Sequence, residues 1–172
     1  MKANILINKK AGKNFVIFWS AYKGKPRVCR ILLSKNSRLF PDSVISSCPR
    51  IDKLVEQITA FLDGRKIKFG LDTIQLDLCP DFQKKVLLQA AKITFGTTCT
   101  YQAIADRLGK PKAWRAVGSA LAGNPFPIII PCHRIVRSDG SFGDYQGGKR
   151  MKEFLLKREA GRLHKIFPKK EE

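Results

Sequence analysis

The stretch NPFPIIIPCHRIV, Asn124 to Val136, sets a thiol beside an imidazole at the end of an apolar run stiffened by prolines at 125, 127 and 131. A free thiol has a pKa of about 8.5, so little of it is thiolate at neutral pH. A histidine partner can lower that value or take the proton as a general base. Cys132 and His133 are therefore a candidate nucleophile and base. Their adjacency raises a geometric difficulty. In an extended chain neighbouring side chains point to opposite faces, so the pair needs a bend, or a water molecule between them. The prolines restrict the backbone enough to hold such a bend.

A base works best when a third group orients it. Glu159 fits that role because it sits in the last turn of the last expected helix, where the macrodipole disfavours an acid by roughly 0.3–1 kcal/mol. A residue that breaks a local rule is more often a functional one. Pairing with Lys157, Arg158 or Arg162 accounts for Glu159 as well, and on charge pattern alone it is the simpler account. The other four cysteines, Cys29, Cys48, Cys79 and Cys99, read as small buried hydrophobes, and His164 as a solvated surface residue. No Cys-x-x-Cys occurs, and the only histidines are His133 and His164, so no zinc spacing is met. Neither a metal nor another cofactor is expected. An odd cysteine count, with no apolar leader in MKANILINKKAGKNF, points to reduced thiols inside a cell.

The elements that must position these groups follow from periodicity. Phe15–Tyr22 and Arg27–Ser34 are rich in strand formers and flank a Gly- and Pro-containing turn, which predicts a hairpin. Ile51, Leu54, Val55, Ile58 and Leu62 fall at helical spacing, with Gly64 as a stop. Ile67–Leu78 alternates like a strand. CPDF at 79–82 marks a boundary, with Asp81 able to cap a helix. A first domain of mixed α/β character is expected over 1–79 and a mostly helical one over 80–172.

In the second half Phe82, Val86, Leu87, Ala90 and Ile93 line one helix face, ended by Gly96. Thr100 can cap a second helix holding Tyr101, Ile104, Ala105 and Leu108. GKP at 109–111 stops that helix and starts a third, which buries Ala113, Val117, Ala120 and Leu121. Two short helices across a glycine turn form a helix-turn-helix signal. A glycine-rich loop spans 137–148. The last helix is expected to bury Met151, Phe154, Leu155 and Leu156, to stop at Gly161, and to precede a frayed tail.

The chain of 172 residues has a formal charge of +19, from 33 basic and 14 acidic residues. That excess favours a polyanionic partner, and no long basic amphipathic helix or bilayer-length apolar run favours a membrane. The excess is spread evenly: 15 basic and 6 acidic residues lie in 1–79, and 18 and 8 in 80–172. A generally basic, well-solvated surface is the plain alternative.

PCHRIV with GNPFPIIIPCHR before it, the helix-turn-helix, and YQGG and KREAGRL after it resemble the alkylguanine-DNA alkyltransferases over about residues 80–163. The resemblance implies an α+β fold, with an N-terminal ribonuclease-H-like domain and a C-terminal winged helix-turn-helix domain. It implies direct repair of double-stranded DNA containing 6-O-alkylguanine by a monomer, cytoplasmic or nuclear, without cofactor. Cys132 attacks the alkyl carbon once and irreversibly, activated by His133 through water and by Glu159. Arg115 is similar to the arginine that fills the stack behind the flipped base; Ala113, Trp114 and Gly118 share its helix at the DNA; and Tyr101 crowds the phosphate and reaches the flipped guanine. Asn124 resembles the hinge asparagine, and Ile135, Tyr145, Gln146 and Gly147 lie where the family builds its pocket. Taken alone, Tyr101 reads as a core aromatic, Arg115 as a solvated helix residue and Asn124 as a helix cap. Trp114 stands where the family has a small residue: facing DNA it obstructs the minor groove or adds an apolar wedge, facing inward it is core. A binding protein with an inert Cys132 and a Cys-His hydrolase are the alternatives, and adjacency of the pair argues against the latter.

Overall fold

Strand-forming runs on either side of Lys23 and Gly24 fold back on each other as β2 (Phe15–Tyr22) and β3 (Lys25–Leu33). The two turn residues have φ of 49° and 73°, and positive φ at both positions matches the right-handed twist of a hairpin. A register shift between Phe18 and Trp19 marks a bulge. β1 (Asn4–Asn8) pairs antiparallel with the other edge of β2, giving the order β1-β2-β3. The computed structural model describes residues 4–8, 15–33 and 46–160, the first stretch by backbone alone. Gly161, Arg162, His164 and the C-terminal tail lie outside the described residues.

The helix expected after the hairpin is α1 (Pro49–Leu62), with proline in its first turn, where a missing N–H costs nothing. It buries Ile51, Leu54, Ile58, Phe61 and Leu62, so Phe61 completes the stripe rather than Val55, which is half-buried. Gly64, at φ 89°, takes the left-handed turn that ends it. Phe15, Val16, Ile17, Val28 and Ile31 supply buried side chains from the sheet. Each such fully buried aliphatic contributes about 1.5–3 kcal/mol.

The strand expected over 67–78 does not form. Leu71–Thr73 and Leu76–Leu78 are single 3-10 turns, and between them the segment meets the sheet by an isolated bridge of Ile74 to Val28 and by Gln75, whose N–H donates to the Val28 carbonyl at 2.9 Å and whose amide donates to the Ser20 hydroxyl at 2.9 Å. The reason is local: Thr73 donates both its N–H and its hydroxyl to the Gly70 carbonyl, which competes with ladder pairing. Leu78 is 61% exposed, and within 67–78 only the consecutive pair Ile74 and Gln75 is buried, which is not the pattern of an alternating strand.

The chain divides into two units, with the boundary between Cys79 and Pro80. An uninterrupted domain from 80 to 172 was expected, but Pro125–Ile129 group with the first unit. There the Ile31 N–H donates to the Pro125 carbonyl at 2.7 Å, and Phe126, Ile128 and Ile129 are buried. Ile128 has φ 75°, a left-handed conformation that costs a β-branched residue about 1–3 kcal/mol.

The second unit holds α2 (Asp81–Ala91), α3 (Tyr101–Arg107), α4 (Trp114–Ala122) and α5 (Lys149–Ala160). Val86, Leu87 and Ala90 of α2 are buried as expected, with Ile93 just beyond its end, while Phe82 is half-buried. Asp81 lies inside the first turn and Pro80 occupies the cap position, so Asp81 does not cap. Thr100 does: its hydroxyl accepts from the Ala103 N–H at 3.0 Å. Gly109, at φ 68°, ends α3, and Pro111–Ala113 form a 3-10 turn leading into α4. Ala113 is half-buried in that turn rather than in the helix core, while Val117, Ala120 and Leu121 are buried. β4 (Cys99–Thr100) and β5 (Ile135–Val136) form a short parallel pair that ties the start of α3 to the segment after Cys132. In α5 the buried positions are Lys152, Leu155, Leu156 and Glu159, while Met151 and Phe154 are half-buried, contrary to expectation.

Candidate active site

The bend the dyad requires is made in two steps. Pro131, at φ −80° and ψ 59°, centres an inverse γ-turn in which the Cys132 N–H donates to the Ile130 carbonyl at 2.8 Å. Cys132–Arg134 then form one 3-10 turn. Three residues per turn put successive side chains about 120° apart, so Cys132 and His133 neither oppose each other, as in a strand, nor stack.

Both side chains are buried, Cys132 at 7% exposure and His133 at 0%. The Cys132 Sγ accepts a hydrogen bond from Asn124 Nδ2 at 3.1 Å, and the same amide donates to the Ile130 carbonyl at 3.2 Å. Asn124 thus holds the thiol and the turn that presents it. Burial pushes the Cys132 thiol up, and the Asn124 hydrogen bond and the Lys152 charge pull it partly back.

His133 Nε2 and Glu159 Oε1 are 2.8 Å apart. Glu159 is further held by the Gly96 N–H on Oε2 at 2.8 Å and by Arg134, whose Nε lies 2.9 Å from Oε2 and whose second terminal nitrogen lies 3.0 Å from Oε1. Arg134 is itself anchored by donation to the Ile93 carbonyl at 2.6 Å. Burial lowers the His133 pKa despite Glu159, so the imidazole is neutral. Burial alone would raise the Glu159 carboxyl, but the hydrogen bond from His133 and then the Arg134 guanidinium lower it, and it is ionised. Because Arg134 balances the carboxylate, His133 need not carry charge at rest and can accept a proton. Among the described residues Glu159 bonds His133, and Lys157 pairs instead with Glu153 at 2.8 Å; Arg162 lies outside the described residues.

Lys152 is fully buried, and its Nζ donates to the Ile135 carbonyl at 2.6 Å. It lies 5.9 Å from the centre of the Tyr101 ring. Burial lowers its pKa to about 8, while attraction to the Cys132 thiolate acts the other way. Tyr145 is buried, its ring edge-on to His133 at 6.2 Å, and its hydroxyl has no hydrogen-bond partner among the described residues. Gly147 packs where a Cβ would come within 2.9 Å of Met151 and 3.1 Å of Tyr145. Gln146 is exposed.

Beside this cluster a cavity of about 610 Å³ opens, lined among others by Tyr101, Trp114, Arg115, Gly118 and Arg137. Any Cβ at Gly143 would collide with the Tyr101 hydroxyl, so glycine there lets the phenol sit against the backbone. Tyr101 is half-buried, and burial raises its pKa, as does the nearby Cys132. Trp114 is 44% exposed and not core, and Arg115 is exposed over its ring. The expected residues thus fall into two groups. Asn124, Cys132, His133, Ile135, Tyr145 and Glu159 are buried together, whereas Trp114, Arg115 and Gly118 line the cavity, with Tyr101 reaching toward both. Arg134 and Lys152 were not singled out from sequence. The signal was present for Lys152, since 152, 155, 156 and 159 share one helical face.

Among the described residues no group of three His, Cys, Asp or Glu is placed to hold a metal, and no helix is long and apolar enough to cross a membrane.

Residues 81–161 match the family model described as 6-O-methylguanine DNA methyltransferase, DNA binding domain. A methylated-DNA–protein-cysteine methyltransferase of Methanothermobacter thermautotrophicus is 43% identical over 137 residues, 79% of this chain and 76% of that protein. The human protein of the same name is 51% identical over 85 residues, 49% of this chain and 41% of its own length. The crystal structure of Mycobacterium tuberculosis OGT in complex with DNA superposes with a TM-score of 0.74 at 27% identity, covering 92% of this chain and 94% of that one.

Proposed function

The chain belongs to the methylated-DNA–protein-cysteine methyltransferase family, and on that premise we propose that it repairs 6-O-alkylguanine in double-stranded DNA by moving the alkyl group to Cys132. It acts inside the cell, in cytoplasm or nucleus, where its substrate lies. The observation that carries the reading is the buried His133–Glu159 bond, set in the same turn as the buried Cys132 thiol, with Glu159 neutralised by Arg134. The Cys132 sulfur attacks the alkyl carbon, a C–S bond forms, and the bond from that carbon to guanine oxygen breaks. The thiol proton passes to the neutral His133, through water where the two side chains do not touch, and Glu159 stabilises the imidazolium that forms. Guanine leaves with the electron pair on its oxygen, to which the backbone N–H of Gln146 donates, while the Tyr101 hydroxyl hydrogen-bonds the flipped base. The Cys132 and Ile135 carbonyls accept from the exocyclic amine, and Lys152 holds the Ile135 carbonyl in place. Asn124 acts as the hinge before the cysteine turn. A thioether has no easy leaving group, so each molecule reacts once.

Duplex DNA buries the reacting carbon, so the base must leave the stack at a cost of a few kcal/mol. We assign α3 and α4 to a helix-turn-helix laid in the minor groove, with Arg115 filling the gap and Ala113, Trp114 and Gly118 beside it on the DNA. The 137–148 loop then corresponds to the wing of a winged helix-turn-helix, and the first unit to a ribonuclease-H-like domain.

Mixing the protein with 6-O-benzylguanine and weighing it tests the reading. One benzyl group on Cys132, absent in Cys132→Ala, is expected. An unchanged mass with DNA binding intact makes it a binding protein instead.

A further inference from the structure

Trp114 and Leu78 are the exposed large hydrophobic residues among those described. Trp114 opens α4 on the wall of the 610 Å³ cavity, and the Arg115 Cζ sits 4.8 Å from the centre of its ring. Arginine over indole is the strongest common form of cation–π contact. An exposed arginine ordinarily samples many rotamers, and contact with the indole restrains this one. Beyond Arg115, the same helix face continues with Gly118, Ser119 and Ala122, all lining the cavity and all small. Arg137 lines it as well, and Lys110 and Lys112 lie exposed just before Trp114. Asp139 and Asp144 face the two arginines across the cavity, so the cations not offset by a lining carboxylate are Lys110 and Lys112 beside it, and the low wall of small residues runs past the Trp114–Arg115 contact. A guanidinium has two flat faces, and a nucleobase stacks on the second as it does on an aromatic ring.

Resting on the DNA-repair reading above, we propose that Trp114 and Arg115 form one platform, ordered indole, guanidinium, base, on which an unpaired base of bound DNA stacks. Trp114 touches the base only through Arg115, so it is a positioning residue. It sets the arginine flat before DNA arrives, and discriminates DNA with a vacated stack from fully paired DNA.

The test uses the full chain and two short duplexes, one fully paired and one holding a single base opposite an abasic site. The other tryptophan, Trp19, is buried with its Nε1 donating to the Ser46 carbonyl, so a Trp19→Phe background leaves Trp114 as sole reporter. Should that variant not fold, the emission difference between the parent and Trp114→Phe reports the same ring. The gapped duplex is expected to change Trp114 emission. Trp114→Ala, its fold checked by circular dichroism, is expected to weaken that complex about 5- to 100-fold while changing the paired complex less than about 3-fold. Trp114→Phe, which keeps a π-face, recovers most of the loss. Unchanged emission at saturation, or equal weakening on both duplexes, overturns the platform. A parent protein that binds neither duplex overturns it together with the DNA reading. Binding to the gapped duplex without any benzyl adduct sinks only the repair chemistry.

Discussion

Two regions of the second unit carry charge in opposite ways. Around Glu159 the charged and polar groups are buried and hydrogen-bonded: Glu159 by His133, Gly96 and Arg134, Arg134 by Glu159 and Ile93, Lys152 by Ile135. Along the start of α4 the cations are exposed, and Arg115 is steadied by one ring contact. The first arrangement is costly to break and unable to adapt, which suits a reaction needing fixed geometry. The second is inexpensive to alter and free to reshape, which suits a partner that must itself be distorted. If the division holds, variants in the buried region lose stability and chemistry together, and variants on the exposed face lose duplex repair alone.

Glu159→Gln tests the division most severely. It leaves Arg134 buried without its counter-ion and replaces the charged acceptor of His133 by a neutral amide, so a stability loss of about 3–5 kcal/mol is expected in denaturant unfolding. Adduct formation on free 6-O-benzylguanine should slow by about 100-fold or more, the usual contribution of a positioned base. A loss below about 0.5 kcal/mol, the size seen for surface pairs, would dissolve the contrast.

Arg115→Ala should do the reverse. An exposed substitution shifts stability by less than about 0.5 kcal/mol. Repair in duplex DNA, measured by transfer from a 6-O-methylguanine oligonucleotide, should fall about 10- to 100-fold because the gap in the stack is no longer filled. Reaction with the free base should fall far less. Equal losses in the two assays refute the stack-filling role.

The same contrast explains what could be read from the chain beforehand. Local codes were legible: the Thr100 cap, the Gly64 and Gly109 stops, and a thiol beside an imidazole each depend on neighbours a few residues away. Glu159 was legible because it breaks a helix rule, although charge pattern alone favoured a partner on its own helix. What stayed hidden depends on distant backbone. Arg134 is spent on Glu159 and on the Ile93 carbonyl, 41 residues away, and Lys152 on the Ile135 carbonyl, so two residues that look like ordinary surface cations are core. The alternation at 67–78 misled because local bonds won over pairing: Thr73 closes onto the Gly70 carbonyl, and the run meets β3 at Ile74 and Gln75. The left-handed Ile128 and the grouping of Pro125–Ile129 with the first unit are tertiary outcomes that no propensity announces.

Lys152 gives the finest test, because it is a surface-type cation placed in the buried region. Its pKa is lowered from 10.5 to about 8, first by burial. Between those values the native chain holds fewer protons at this site than the unfolded chain, so stability rises with pH across that window; as pH falls through about 8 the penalty for burying the ammonium returns in full. The stability of the parent relative to Lys152→Met should therefore grow by about 1–3 kcal/mol from pH 7.5 to 10.5 in urea unfolding. The reactivity effect is smaller and has the opposite sign. The ammonium favours the Cys132 thiolate, so losing its charge above pH 8 should flatten the rise of the benzylation rate with pH. In Lys152→Met, which starts slower, the rate should go on rising, leaving the two proteins within a few-fold of each other at high pH, as expected for one screened charge. Profiles of the same shape in both proteins mean that Lys152 is a strut for the Ile135 carbonyl and nothing more, which moves it out of the reacting region and into the scaffold.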